Sequence, residues 1–207
     1  MKRHQYIAID KHKSIIIAAP QAYARMGRQN SIKEMKKVEL NYKKASVEDI
    51  ELLVRTRIIV LRTVNNMADD ADMSEVEERS REYYMRCFDE DIHAAYLVLD
   101  GDRFVGAGGI SFYEVMPTGH NPSGRKAYLM NIYTDPSYRR RGIAMHVLDL
   151  LVGEALDRGI EDISLEATPM GRPLYEKYGF EGSPSEMHIG SRTLENAKIK
   201  MRNDGLR

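Results

Sequence analysis

Cysteine is scarce in this 207-residue chain, and long apolar runs are missing. The one cysteine, Cys87, allows neither an intramolecular disulfide nor a cysteine-rich metal site. The longest apolar runs, such as Ser14–Ala19 and Ala94–Leu99, fall short of the roughly 18–20 residues that a membrane-spanning helix needs. The N-terminus lacks the apolar stretch and the small-residue cleavage site of a secretory signal. The sequence therefore predicts a soluble cytoplasmic protein without a membrane partner.

The formal net charge is zero, but the two signs of charge are unevenly distributed. Residues 1–37 hold nine Lys or Arg and two acids, so this segment carries +7 and the rest of the chain carries −7. Such asymmetry is typical of an interaction tail, and a solvated lead segment is the alternative. The segment has no nucleic-acid recognition motif and no interleaved aromatic residues, so we do not expect a nucleic acid as partner.

The length fits one domain with an appendage, and 43% apolar residues are enough for a core. We predict a basic N-terminal extension over residues 1–34, one domain over residues 35–190 and a polar tail over residues 191–207. The extension contains no recognisable chemical motif. Met35 opens the first strand-like segment of the domain, which suggests the hypothesis that translation can begin there.

Hydrophobic periodicity predicts the element order β-α-α-β-β-β-α-β-α-β, which indicates a mixed sheet of the α/β type covered by helices. Capping boxes at Ser46–Asp49 and Ser74–Glu77 are predicted to begin the first two helices. The second hairpin strand contains Gly106, Gly108 and Gly109. These glycines favour a bulge or a close approach of the backbone over a phosphate site.

The strongest chemical signal is the run from Arg139 to Ala144, Arg-Arg-Arg-Gly-Ile-Ala, between a predicted strand and a long helix. The first turn of a helix has free backbone N–H groups and a partial positive charge. Gly142 permits the close approach of an anion, and three arginines add positive charge. The run, called the anion cradle below, therefore predicts a pyrophosphate site. It matches neither a Walker P-loop nor a dinucleotide-binding fingerprint.

The surrounding sequence resembles a known family. The segment Tyr128–Ala144 resembles the acyl-CoA-binding motif of the GCN5-related N-acetyltransferases (GNAT). The family pattern Gln/Arg-x-x-Gly-x-Gly/Ala is supplied here by Arg139, Gly142 and Ala144. One crossover later, Leu174–Phe180 resembles the family segment Leu-Tyr-Glu-Lys-x-Gly-Phe. The resemblance implies the GNAT fold, in which a central twisted mixed β-sheet is flanked by helices.

The resemblance covers about residues 38–189 and implies a GNAT acetyltransferase domain with acetyl-CoA as cosubstrate and no metal. Tyr175 stands at the position of the family's general acid, where a phenol can protonate the departing thiolate. The implied cofactor-binding residues pair with the pantetheine arm or contact the pyrophosphate: Ile132, Tyr133, Thr134, Arg139, Arg140, Arg141, Gly142, Ile143 and Ala144.

The sequence departs from the family at the general base. Many members carry a glutamate on the strand before the cradle, but this strand has no acid between Ala127 and Thr134. Glu114, at the end of the long hairpin strand, and His120, in the following loop, are the replacement candidates. A solvated strand end and a surface loop residue are the alternative interpretations. No base is needed where water relays the proton.

Acceptor contacts in this family come from the first two helices and the loop between them, which is acidic here. The acids are Asp69, Asp70, Asp72, Glu75, Glu77 and Glu78. An acidic rim would attract a cationic amine such as a polyamine, an aminoglycoside or a lysine-bearing peptide. An ordinary solvated loop and helix start is the alternative. The loop Met116–Arg125 is predicted to form another wall, and Asn131 is either a polar contact or a locally paired strand residue.

We therefore predict an N-acetyltransferase. It transfers an acetyl group from acetyl-CoA to a primary amine of a small molecule or peptide, by direct attack in a ternary complex. The alternative is a CoA-binding regulatory or interaction module with weak or no catalysis. The resemblance also implies a homodimer as a possible state, since dimers are common in the family.

Overall fold

The computed structural model describes residues 39–183 together with residues 193 and 195. The elements over this range are β1 (Asn41–Lys44), α1 (Ile50–Asn65), α2 (Ser74–Asp89), β2 (His93–Asp100), β3 (Arg103–Glu114), β4 (Arg125–Thr134), α3 (Ile143–Asp157), β5 (Asp162–Leu165) and α4 (Arg172–Tyr178). The strands form one sheet in the order β1-β2-β3-β4-β5. The pairs are antiparallel except β4 with β5, which is parallel. The predicted mixed sheet with flanking helices is confirmed.

Several predictions fall outside the described residues. They are the extension over residues 1–34 with the start at Met35, the last strand of the predicted element order, which falls at residues 187–189, and most of the tail over residues 191–207. Among the residues that are described, no helix combines the length and the apolar character needed to cross a bilayer.

The two predicted capping boxes have different outcomes. At Ser46–Asp49 the box forms, with the Ser46 N–H donating to Asp49 Oδ2 at 3.0 Å, and it opens a short 3-10 turn before α1. The predicted box at Ser74–Glu77 is wrong. Met73 occupies the cap position, and the Ser74 N–H donates to Asp72 Oδ1 at 2.9 Å. The carboxylate of Asp72 therefore satisfies the first helical donor, as Asp residues do in such turns.

The core consists of two apolar layers, one on each face of the sheet. Neighbouring strand residues point to opposite faces, so Leu97 and Val98 enter different layers, and both are fully buried. The α3 layer contains Ile110, Val147, Leu148 and Leu151, and the α1–α2 layer contains Leu53, Val54, Tyr84 and Ala107. Cys87, a free thiol, is also buried.

Glycine allows α3 to lie close against β3. A Cβ on Gly108 would clash with Val147 and would approach Leu151 Cδ1 to 2.9 Å. A Cβ on Gly106 would lie 3.0 Å from the carbonyl oxygen of Tyr133 and 3.2 Å from Ile143 Cγ2. The predicted close approach of the backbone is confirmed at these two positions. It brings the N-terminal turn of α3 next to the end of β4.

An extra residue interrupts β4. Gly109 pairs with Met130 and Ala107 pairs with Tyr133, so Gly108 alone faces both Asn131 and Ile132. Asn131 has a φ of 59°, in the left-handed region that asparagine tolerates better than most residues. Such a bulge bends the strand and leaves one residue out of the ladder. Pairing of β4 with β5 ends at Leu129, so residues 130–134 continue without that neighbour.

We predict that Gly108→Ala destabilises the fold by roughly 1–3 kcal/mol, because the added methyl group overfills the contact between β3 and α3. Gly153→Ala is the matched control, since Gly153 lies in α3 with nothing within 4 Å of an added Cβ. That substitution should raise stability by about 0.5–1 kcal/mol through helix propensity. Urea denaturation measures both changes. Equal stability of the two variants would contradict the close packing.

Candidate active site

A large cavity begins at the end of the pairing between β4 and β5 and has a volume of about 830 Å³. Its walls come from α1, the second half of β4, the cradle, the segment after β5 and α4. The bulge and the end of strand pairing therefore open the space, and helices on both sides enclose it. Its size is within the range of small-molecule sites.

The cradle lies at one end of this cavity. The first helical bond of α3 runs from the His146 N–H to the Gly142 oxygen at 3.0 Å, so the N–H groups before His146 have no helical acceptor. Arg140 and Gly142 have φ values of 64° and 81°. Left-handed residues that alternate in this way turn successive N–H groups toward one point, which is the geometry of an anion site.

The arginines of the cradle have different environments. Arg139 and Arg140 line the cavity, and Arg139 Nε donates to the Thr134 oxygen at 3.3 Å. Arg141 does not line it. Its guanidinium stacks 4.8 Å from the centre of the Tyr138 ring and donates to the Ser137 oxygen at 3.1 Å. Two arginine side chains are therefore available to an anion, and the third fixes the loop.

The predicted strand edge also faces the cavity, since Ile132, Tyr133 and Thr134 all line it. The Tyr133 ring is stacked on Phe104, with ring centres 5.8 Å apart. Within residues 39–183, 193 and 195, the buried Thr134 Oγ1 has no hydrogen-bond partner. A buried hydroxyl without a partner is costly, and a ligand that pairs with it would remove that cost.

Tyr175 reaches the cavity from α4. Its ring packs edge-on against Phe180, with ring centres 6.2 Å apart, and it is half-buried. Burial, helped by the nearby Tyr128, raises the pKa of the Tyr175 phenol above its ordinary value. The phenol therefore stays protonated at neutral pH and can donate a proton inside the cavity.

A second cavity of about 390 Å³ lies between α1, α2 and β4. It shares three lining residues with the first, namely Arg57, Met130 and Asn131. These residues mark the junction of the two cavities, at the bulge of β4. The two cavities are therefore adjacent at Asn131.

Arg57 lines both cavities and is a candidate site residue that the sequence reasoning missed. Its Nη1 donates to Asn131 Oδ1 at 3.0 Å, which ties α1 to the bulge. Burial raises the pKa of Tyr84, and the charge of Arg57 partly offsets this effect, so the two side chains are close. The sequence did contain a signal for Arg57, because it follows Leu53 by one helical turn and so places a charged residue on the apolar face of α1.

A buried polar cluster lies below the second cavity. Tyr83 lines this cavity, and its hydroxyl contacts both Ser111 Oγ and His93 Nδ1, the latter at 3.2 Å. His93 Nδ1 also lies 2.9 Å from Ser111 Oγ. His93 Nε2 has no partner in the described part of the chain. Burial lowers the pKa of His93 to about 4, so the ring is neutral and fixes the orientation of Tyr83.

The two candidate bases lie elsewhere. Glu114 pairs with Arg125 at the start of β4, whereas the cavity is at the Thr134 end of that strand. His120 is exposed in the following loop. Neither lines either cavity, and the same is true of the whole predicted wall Met116–Arg125. The roles suggested for Glu114 and His120 stay predictions that this geometry does not support.

Most of the predicted acidic rim also lies apart from the cavities. Glu75 lines the second cavity, but Asp69, Asp70 and Asp72 line neither. Glu166, just after β5, is the carboxylate that lines the larger cavity. Over residues 39–183, 193 and 195, no group of three or more His, Cys, Asp or Glu side chains is placed to hold a metal ion.

Comparison with known proteins identifies the family of this chain. Residues 62–180 match the model of the Acetyltransferase (GNAT) family. The match covers more than half of the chain, which belongs to this family. The resemblance seen in the cradle and in Leu174–Phe180 is thereby confirmed.

Two solved structures and one curated protein illustrate the likeness. A predicted acetyltransferase from Clostridium acetobutylicum, solved with acetyl-CoA, is 32% identical with a TM-score of 0.67, covering 73% of this chain and 96% of that one. A GCN5-related N-acetyltransferase from Ralstonia eutropha is 25% identical with a TM-score of 0.64, covering 73% and 98%. An uncharacterized N-acetyltransferase of Bacillus subtilis, YsnE, is 31% identical over 87 residues, which are 40% of this chain. The match spans 52% of that curated relative, about half its length.

We predict that the neutral state of His93 makes stability depend on pH. An unfolded histidine binds a proton below about pH 6.5, whereas folded His93 stays neutral until about pH 4. The free energy of unfolding should therefore fall as the pH falls through this window, by about 2 kcal/mol between pH 7.5 and pH 5. Urea denaturation at both pH values measures this. His93→Asn should flatten the dependence and His120→Asn should not; an unchanged slope in His93→Asn would refute the assignment.

Proposed function

We propose that this protein transfers an acetyl group from acetyl-CoA to the primary amine of a small molecule. The observation that carries the proposal is the junction of the two cavities at the β4 bulge. The larger cavity has an anion cradle at one end and an unpaired strand edge along its side. The smaller cavity meets it at Asn131, where a donor and an acceptor can be brought together.

The larger cavity has the groups that acetyl-CoA requires. The free N–H groups at the start of α3, with Arg139 and Arg140, suit a pyrophosphate. The unpaired edge of residues 130–134 offers N–H and C=O groups to the amides of a pantetheine arm, as an adjacent strand would. Thr134 Oγ1 adds a polar group that is free to pair. The Clostridium relative, whose structure holds acetyl-CoA, supports this choice of donor.

The chemistry needs a nucleophile, a polarised carbonyl and an acid. The amine nitrogen forms a bond to the acyl carbon, the carbon–sulfur bond breaks, and the sulfur leaves as a thiolate. Backbone N–H groups at the bulge polarise the acyl oxygen. Tyr175 gives its proton to the thiolate and recovers one from solvent. The ammonium loses one proton to water in the open cavity before the attack, and the nitrogen gives a second proton to water as the amide forms, since no carboxylate stands on β4.

Release of free thiol from acetyl-CoA, measured over a panel of primary amines, tests the proposal. Amine-dependent release is the expected result, with the acetylated amine identified by mass. Binding of acetyl-CoA without release for any amine would support the alternative, a CoA-binding module. Failure to bind acetyl-CoA at all would mean that the cradle is misinterpreted.

We predict that Tyr175→Phe lowers kcat by at least about tenfold, because the leaving thiolate loses its proton donor. The affinity for acetyl-CoA should change little, since the aromatic ring remains. Tyr178→Phe in the same helix is the matched control, because Tyr178 does not line the cavity. Steady-state thiol release measures both variants. Full turnover in Tyr175→Phe would remove this phenol from the mechanism.

Gly142→Glu should weaken acetyl-CoA binding, because it places a carboxylate in the cradle, where the pyrophosphate is proposed to lie. Gly142→Ala is the control, since it carries the same backbone strain at a φ of 81° without the charge. Isothermal titration should give a Kd at least about tenfold higher for the glutamate variant than for the alanine variant. Equal Kd values would locate the pyrophosphate elsewhere.

A further inference from the structure

The smaller cavity has an uneven charge. Two arginines and one acid line it, namely Arg57, Arg79 and Glu75. Arg79 already forms an ion pair with Glu82 at 3.0 Å, on an exposed part of α2. Arg57 is half-buried and, among the described residues, forms no ion pair with a carboxylate. Its one hydrogen bond goes to the neutral side chain of Asn131.

A half-buried guanidinium without an anionic partner is costly unless a ligand supplies the anion. Arginine also binds a carboxylate through two parallel N–H groups, which fixes the orientation of the ligand. Arg57 lines both cavities and therefore stands at their junction. A carboxylate held there keeps an α-amine, two bonds away, next to the acyl group.

The rest of the smaller cavity suits an apolar body. Val76, Tyr84 and Met130 line it, together with the ring of Tyr83, whose hydroxyl is held by the His93–Ser111 cluster. A volume of about 390 Å³ admits a small molecule and excludes a folded protein. Arg79 is paired with Glu82, so the guanidinium that lacks a carboxylate partner within the described residues is that of Arg57. It favours a ligand that carries an anion over a polyamine or an aminoglycoside, which carry several positive charges and no anion.

We propose, building on the acetyl transfer above, that the acceptor is an α-amino acid with an apolar or aromatic side chain. Arg57 binds its carboxylate, the apolar wall holds its side chain, and its α-amine faces the acyl group at the bulge. Acetylation forms the amide nitrogen–carbon bond and releases free CoA thiol, as in the general reaction. The product is an N-acetyl amino acid.

The test compares acceptors that differ only in the carboxylate. L-phenylalanine is matched with phenethylamine, and L-methionine with 3-(methylthio)propylamine, within a panel that holds all twenty standard amino acids and spermidine. The full-length enzyme should show a kcat/KM at least about tenfold higher for the amino acid of each pair. Arg57→Gln should bring this ratio close to one, mainly by lowering the value for the amino acid. Arg55→Gln, an exposed neighbour on the same helix that lines neither cavity, should keep the wild-type ratio.

The outcomes separate this inference from the proposed function. Acetylation of amines with no preference for the carboxylate, or with a preference for spermidine, overturns the acceptor class and leaves acetyl transfer in place. An equal loss for both members of a pair in Arg57→Gln also overturns it, because Arg57 then only supports Asn131. If no standard amino acid is acetylated while another amine is, the inference is wrong. If no amine is acetylated at all, the proposed function fails as well.

Discussion

One constraint shapes the candidate site: β4 has one residue too many for its partner β3 and continues for five residues beyond its last pair with β5. The extra residue is accommodated at Asn131 in a left-handed conformation. Residues 130–134 lie beyond the last pair with β5, which leaves a gap beside this edge of β4 at the larger cavity. A gap between strands leaves backbone groups that must find other partners, and a ligand with amide groups can supply them.

Three surrounding elements, namely α3, the loop of the cradle and α1, determine which side chains and backbone groups border that gap. Gly106 and Gly108 let α3 pack closely on β3, so the N-terminal turn of α3 lies at the end of the gap. Arg141 stacks on Tyr138, and the Ser137 N–H donates to Asp135 Oδ1. These two contacts fix the loop that carries the cradle. On the other side, Arg57 ties α1 to the bulge. The cradle, the strand edge and the second cavity thus meet at the same few residues of β4.

The parts of the site that are local in sequence could be predicted from it. The three arginines, the glycine and the helix start of the cradle lie within the six residues from Arg139 to Ala144, shortly after a strand. The position of Tyr175 follows from a second local motif. The glycines of β3 correctly indicated close packing, because a strand residue without a side chain lets a neighbouring element approach the backbone.

The parts that depend on long-range geometry could not be predicted. The bulge at Asn131 results from the register of β4 against β3, which no local pattern of residues specifies. Glu114 is a candidate general base because it carries a carboxylate at the end of β3. The antiparallel pairing places it beside Arg125, at the end of β4 away from the larger cavity. The acidic loop suggested a cationic acceptor, whereas the side chains that reach the smaller cavity are mostly basic and apolar. A count of charges along the chain does not show which of them point into a site.

Amide hydrogen exchange with and without acetyl-CoA reports directly on the backbone of β4 and the start of α3, where we propose that acetyl-CoA binds. With acetyl-CoA bound, we expect slower exchange in peptides that cover residues 130–134 and 140–145. Peptides from the loop of residues 115–124 should exchange at the same rate in both samples. Protection confined to other segments, or no protection at saturating acetyl-CoA, would contradict a donor site in the gap beside β4.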